Sequence, residues 1–546
     1  MNLTGMCTKG IIIGLGFGLL AACQTTTPSK PDPVYISHTA PAVAGKPTIS
    51  GLTDLGSLPQ NLGDTPSTAF ADGRFSPGEW VMLKGKNLAV NSLHIDDQTV
   101  PVDLYYGQNP LFKIPVGLNP TKLHNIVIDN GQGKAASTFK SSHYIVATDT
   151  DGKQRHLIRT NPDDRGSIEE DWIDLASEAE RPLFTLFSAD SSYLFTVNIA
   201  SRVEEDTDKE ANAYVMEVRV FHAAAPDAPA LLKQFEVVVD SSPIDATISA
   251  NNQIVLLGKR SFTVIDANDP LAMVERQRVQ LPAGGAEKTT FVDVIYFADD
   301  QRLAFLETYS NRIFVYDTAS LSPLADVNVL PEKSIALGVD LEPDPKDSNS
   351  FWALMGPNYR LTGSGLVKQY KTLMGKDIPA DKRGVHQLVH YSFGESGLVE
   401  TKRHELDSDY AAYFAQADNN GDLLITTTKL QFLTTDLEGK KTTEVLKMTK
   451  KLVWDALSFG RVIKVDRDSG AMETVSSGVG IYYDLEWVPG IGQVFSLLKF
   501  GPSFSFPYIT PSWGVGIAST GTYAKRKMNK YAVFPPYSVG DIEYQD

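Results

Sequence analysis

The chain reads as all-β in two parts, a small β-sandwich followed by a ring-forming array of four-stranded units. Three observations predict this. Short apolar runs with a period near two recur from about residue 47 onward, broken by Gly, Pro, Asn and Asp turns. From about residue 143 a strand–turn–strand pattern returns six times. Nothing between these runs reads as a long amphipathic helix.

Residues 1–22 come first. An apolar run over residues 11–20 follows Lys9 and closes on Leu20-Ala21-Ala22-Cys23. The run is too short to span a bilayer as a permanent helix, but it fits the apolar region of a signal peptide with small residues before the cut. The pattern resembles the lipobox of bacterial lipoproteins. That resemblance implies cleavage between Ala22 and Cys23, a thioether-linked diacylglycerol on Cys23, and a further acyl chain such as palmitate on its amino group. Two or more acyl chains hold a domain stably on a membrane, each buried methylene contributing about 0.8 kcal/mol. Gln24, where an aspartate would retain the protein at the inner membrane, resembles the sorting pattern for the outer one. The expected location is therefore the bacterial cell envelope, at the outer membrane, through an N-terminal lipid. The alternatives are a plain secretory signal and a retained membrane helix, the latter weakened by Gly14, Gly16 and Gly18.

Only Cys7 and Cys23 are present, and Cys7 lies in the leader. A mature chain whose sole cysteine carries lipid has no thiol for a disulfide, a zinc cluster or nucleophilic catalysis. With 546 residues and 42% apolar content there is ample material for more than one core. A formal charge of -16 argues against nucleic acid as partner, since phosphate backbones demand basic patches.

Residues 23–46, rich in Thr, Pro and Ala with almost no large side chains, read as an extended tether. Residues 47–142 read as the sandwich. Ser76-Pro77-Gly78-Glu79-Trp80-Val81-Met82-Leu83-Lys84-Gly85-Lys86-Asn87-Leu88 resembles the opening strand and GxNL turn of IPT/TIG immunoglobulin-like domains. Phe112-Lys113-Ile114-Pro115 and Val127-Ile128-Asp129-Asn130-Gly131 sit where that family has its later strands. Residues 51–75 depart from the family as a longer lead-in. The resemblance implies an Ig-like spacer or binding module with no catalytic residues.

Residues 143–546 carry the repeat. Strand pairs are expected at 183–188 with 193–198, 244–249 with 254–258, 291–297 with 303–306, 337–341 with 351–355, 413–417 with 423–426, and 482–488 with 494–498. Third strands follow at 261–266, 312–317 and 461–466. Unit spacing of about 45–75 residues suits four-stranded propeller blades with insertions, and the pattern resembles YVTN/WD-like propellers in a general way. Six units are visible, and the strand at 144–147 either closes the ring or starts a seventh. The competing architecture is a pair of stacked sandwiches.

Three successive second-to-third-strand connections are expected to be enlarged, at 357–385, 428–460 and 499–524. Long loops in compact domains are usually functional or disordered, and aromatic residues with arginine supply contact area at low entropic cost. Tyr359, Arg360, Tyr370, Trp454, Phe504, Phe506, Tyr508 and Trp513 are therefore the candidate binding face. The bland alternative is that these loops plug the propeller mouth.

No metal or cofactor is expected. Asp418-Asn419-Asn420-Gly421-Asp422, Asp149-Thr150-Asp151-Gly152 and Asp466-Arg467-Asp468-Ser469-Gly470 place oxygens at calcium-like intervals, but none carries the closing glutamate of an EF-hand. They read as hairpin turns. His386 and His390 on one strand would lie about 13 Å apart, too far to share an ion. No nucleophile elbow, Walker or zincin motif occurs, and no catalytic residue is identified. The expected function is a binding or scaffolding platform for a protein or glycan partner. The rivals are an exported propeller enzyme acting on polysaccharide through carboxylates in its funnel, and a structural part of an envelope assembly.

Overall fold

The computed structural model describes residues 34–58, 66, 71–148, 155–159, 173–174, 182–203, 213–223, 231–241, 243–282, 291–307, 312–329, 337–356, 386–406, 410–429, 443–444, 447, 460–478, 481–488, 492–502, 509–518, 531–532 and 542–544. Two antiparallel sheets form first. One runs Ile36–Ser37, Leu104–Tyr106, Asn109–Lys113, Trp80–Lys86, Thr48–Gly56 in spatial order, and the other Gln98–Thr99, Ser92–Ile95, Leu123–Asp129, Lys134–Lys140. Their alternate side chains meet: Val81, Leu83 and Phe112 from one sheet pack with Leu93, Ile95, Ile126 and Ile128 from the other. The far end of the expected tether joins this sandwich, because Ile36 is buried at 3% exposure and pairs with Tyr106.

The remaining described strands form seven four-stranded antiparallel sheets. Their innermost strands are, in order of blades 1 to 7, Pro182–Phe187, Asp245–Ile248, Phe291–Phe297, Leu337–Pro343, Tyr410–Ala417, Ile481–Val488 and Ile542–Tyr544. Each touches the next and the last touches the first, so the ring is closed. This is a seven-bladed propeller. The strand at Tyr144–Thr148 both closes the ring and belongs to the seventh blade, pairing with Arg155–Arg159 on one side and with Ile542–Tyr544 on the other. One blade is thus built from both ends of the propeller sequence.

Blades stack because their central strands are apolar on both faces, and therefore read as continuous apolar runs. In Gln253–Leu257, Ile254 and Leu256 pack with Val197, Met216 and Val218 of blade 1. Val255 and Leu257 turn the other way, onto Phe305, Phe314 and Tyr316 of blade 3. The alternation continues. Ile313 and Val315 meet Phe351, Ala353 and Met355 of blade 4, and Trp352 and Leu354 meet Leu423, Ile425 and Ile463 of blade 5.

The sandwich is seated on blade 1. The connecting residues Ser141, Ser142 and His143 are fully buried, and the Ser142 N–H donates to Phe75 O at 2.9 Å. Gly78, at φ 76°, lies against the hairpin turn between the first two strands of blade 1. A Cβ there would stand 2.4 Å from the backbone of Asp190, Ser191 and Ser192. The Ser192 hydroxyl donates to Gly78 O at 2.9 Å, and Lys113 pairs with Asp190 at 2.5 Å. Burial works to raise the Asp190 carboxyl, but Lys113, Ser188 and Ser192 together outweigh it and hold the group below the usual range. Only glycine satisfies both the left-handed backbone and the absent space. Gly78→Val should unseat the sandwich, read as faster amide exchange at both 141–144 and 188–193 with the inner strands of blades 3 and 4 unchanged.

Candidate functional site

In a four-stranded antiparallel blade the first-to-second and third-to-fourth turns leave on one side. The second-to-third and blade-to-blade connections leave on the other. The sandwich occupies the former, the turn side, at Ser188–Tyr193. The connections at 357–385 and 430–459 leave from the latter, the loop side. Tyr359, Arg360, Tyr370, Trp454, Phe504, Phe506 and Tyr508 lie outside the described residues. The third expected loop is corrected. Residues 499–502 and 509–518 belong to the paired strands Gly492–Pro502 and Ile509–Ala518, and Trp513 sits mid-strand opposite Leu498. Much of the expected connection is thus strand, paired from Gln493–Ala518 to Pro502–Ile509. Cys23 and Ala22 also lie outside the described residues.

A carboxylate array that the sequence reading did not single out runs along the inner strands of blades 2 to 4. Asp245 of blade 2 accepts the Val294 N–H of blade 3 at 2.9 Å. Asp293 of blade 3 accepts the Leu341 N–H of blade 4, and Asp340 of blade 4 accepts the Ala415 N–H of blade 5 at 2.6 Å. Glu342 accepts the Ala417 N–H at 2.8 Å. Burial, then repulsion from Asp340, pushes the Asp293 carboxyl up to about 7. Burial pushes Asp340 up to about 8, with Glu342 and Asp245 adding repulsion against the Ala415 hydrogen bond. The signal available in the sequence was one aspartate in the first strand of each of three consecutive units.

On the turn side, blades 4 and 5 share a second polar cluster. Asp344, its side chain fully buried, accepts two bonds from the Arg467 guanidinium at 3.1 and 2.8 Å and lies 3.0 Å from His390 Nε2. Burial opposes ionisation of Asp344, but His390, the Lys346 N–H and Arg467 prevail, and its carboxyl stays below the usual range. His390 Nδ1 is 2.5 Å from Thr401 Oγ1, and the ring packs against Trp352 with centroids 4.5 Å apart. His386 and His390 do share the strand His386–Gly394, and the contacts of His390 are to Asp344 and Thr401.

The calcium-like segments in the described part are turns. In the first, the Asp418 N–H donates to Asp422 O at 2.8 Å, and Lys464 Nζ stands between the two carboxylates at 2.8 and 2.9 Å. In the other, Asp466 Oδ1 accepts from the Ser469 N–H at 2.7 Å and the Gly470 N–H closes onto Asp466 O at 2.9 Å. Residues 149–152 lie outside the described part.

No family model and no curated protein matches the chain. Solved structures do resemble it in fold. The periplasmic gluconolactonase of Pseudomonas aeruginosa is 14% identical, covering 74% of this chain and 99% of its own, with a TM-score of 0.47. A Bacteroides thetaiotaomicron protein of unknown function is 11% identical over 92% of this chain and 100% of its own, TM-score 0.34. The β-propeller domain of Myceliophteria thermophila Cps50 (Swd1) is 10% identical over 65% and 92%, TM-score 0.37. Likeness at this level carries no argument about activity or partner. By class the protein is a seven-bladed β-propeller with a β-sandwich docked on its turn side.

Removing one member of a buried ion pair leaves its partner uncompensated and costs about 3–5 kcal/mol. Arg467→Ala should therefore destabilise the chain by about 3 kcal/mol in chemical denaturation, near the low end because His390 still faces Asp344.

Proposed function

We propose that the chain is a lipid-anchored protein of the bacterial outer membrane whose Ig-like sandwich holds the propeller off the bilayer and whose loop side receives a protein or glycan partner. The observation that carries this is the seating of the sandwich. The proposed anchor and tether lead into Ile36–Ser37 of the sandwich, and the sandwich covers the turn side of blade 1 through Gly78, Lys113 and Ser192. Among the described residues the sandwich leaves uncovered the side on which the strands flanking 357–385 and 430–459 end. Aromatic residues and arginine in those segments supply the contact chemistry of a recognition surface.

A second reading, an exported propeller enzyme acting on polysaccharide, has the carboxylate array in its favour, since raised carboxyl groups suit acid–base work. It ranks second because Asp245, Asp293 and Asp340 each hold a backbone amide of the neighbouring blade.

Two measurements test the first reading. Cells fed an alkynyl palmitate should label the wild-type chain and not Cys23→Ser; an unlabelled wild type refutes the anchor. Pull-down from detergent-solubilised envelope should recover a partner that is lost when residues 357–385 are replaced by a short Gly-Ser linker. Equal recovery by both proteins refutes the loop-side surface, and polysaccharide turnover abolished by Asp293→Asn would favour the enzyme.

A further inference from the structure

The carboxylate array repeats with a geometry that a collection of unrelated acids would not show. In blade 3 the pairing register shifts between Phe291 and Asp293, in blade 4 between Gly338 and Asp340, and in blade 5 between Ala412 and Phe414. Each shift is a β-bulge one step before the same position, and bulges re-aim the side chains that follow them. The amide received from the next blade is always the residue after that position: Val294 after Asp293, Leu341 after Asp340, Ala415 after Phe414. Three carboxylates therefore make three links across four blades, each to the residue after a shift in the receiving strand, although the strand that holds Asp245 itself pairs without one. The series ends where Phe414 replaces the acid, and the matching position in blade 1, after the shift between Pro182 and Phe184, is also phenylalanine.

The acids also face one another. The Asp293 carboxyl lies within reach of Asp245 on one side and of Asp340 on the other. A carboxylate is acceptor-only when ionised, so two carboxyl groups form a hydrogen bond only with a proton between them.

We propose that Asp245, Asp293 and Asp340 form a proton-bridged clasp that ties blades 2 to 5 together at their inner edges and loosens when rising pH strips the bridging protons. The proposal concerns cohesion of the ring and does not depend on the anchor or on the partner. The groups that face the bridge are Asp245 from blade 2, the Val294 N–H of blade 3, Asp340, Glu342 and the Leu341 N–H of blade 4, and the Ala415 and Ala417 N–H groups of blade 5. The charge around it is thus carboxylate, and losing the protons sets like charges side by side.

The sign follows from the raised carboxyl groups. A group that binds protons more tightly folded than unfolded contributes stability below its unfolded pKa and loses that contribution as pH rises through its folded one. With Asp293 at about 7 and Asp340 at about 8, the loss should be largely complete by about pH 9.

Unfolding of the full chain, followed between about pH 6 and about pH 9, tests this. The wild type should unfold at least about tenfold faster at the upper end, a factor of ten being the equivalent of one pKa unit out of the roughly three that groups at about 7 and about 8 lose over this span. The double variant Asp293→Asn, Asp340→Asn should lose most of that pH dependence, because an amide still accepts the neighbouring N–H and donates to the next carboxyl without titrating. An unchanged pH dependence in the variant overturns the clasp. Should the variant not fold, infrared spectra of the wild type with labelled aspartate give the second reading. A protonated carboxyl band present near pH 6 and gone by about pH 9 supports the proposal, and its absence near pH 6 overturns it.

Discussion

Ring closure governs everything else in the propeller. The inner wall is complete only because three residues, Ile542–Tyr544, pair with Ala147, Val146 and Ile145 some four hundred positions earlier. A seven-membered ring of separate sheets has two free faces until its first and last blades meet, and each free face exposes a row of Val, Leu, Ile and Phe. Joining distant segments within one sheet locks the closing blade by hydrogen bonds in the plane of the sheet, where two complete blades would meet by side-chain contact alone. The closure entropy of so long a loop is about 5 kcal/mol before any constant is added, since it grows only with the logarithm of length. Apolar burial spread around seven interfaces offsets it readily.

Blade cohesion has a second layer. Apolar packing between sheets is non-directional, and a sheet can slide on its neighbour with little change in buried area. The polar contacts between blades have fixed partners. Asp245, Asp293 and Asp340 each address one particular amide of the following inner strand, and a slip of one residue would leave each carboxyl facing the wrong group. The inner edge is therefore where register is set, and the outer body of each blade is where area is buried.

Much of this fold was legible in the sequence for one physical reason. The second strands, such as Gln253–Leu257 and Ser350–Gly356, are buried on both faces and so appear as unbroken apolar runs, and the turns between strands need Asp, Asn or Gly. The third strands at Ser261–Asp266 and Arg312–Asp317 fall where they were expected. Other features carried no such mark. Ile542–Tyr544 is too short to show a period, which left Tyr144–Thr148 ambiguous. Gly501, Pro511 and Gly514 mimic a loop within a hairpin that pairs from Gln493 to Pro502. The acids of the array lie about fifty residues apart in sequence, each flanked by ordinary strand residues, and only the ring brings them together. Ile36 was hidden in a Pro- and Thr-rich stretch, where the short run Val34-Tyr35-Ile36 makes no pattern.

The distribution of polar contacts between blades 4 and 5 bears on how a propeller tolerates long insertions. This pair carries the excursions 357–385 and 430–459, each interrupting a sheet between its second and third strands. An insertion there separates the two halves of a blade in sequence and enlarges the ensemble from which the sheet must assemble. The same pair is clamped at both ends. Asp340 and Glu342 hold Ala415 and Ala417 beside the axis, while on the turn side Arg467 reaches Asp344, His404 Nε2 meets Arg467 O at 3.2 Å and Lys402 pairs with Asp468 at 2.5 Å. The turn-side contacts come from Arg467 and Asp468, on the hairpin after the third strand of blade 5, and they reach Asp344 ahead of the blade 4 insertion as well as Lys402 and His404 beyond it. His390, Lys402 and His404 likewise lie beyond residue 385. The contacts of Lys402 and His404 with Asp468 and Arg467 therefore require both insertions to have returned the chain to the correct place, whereas Asp340 and Glu342 reach Ala415 and Ala417 before the second insertion begins.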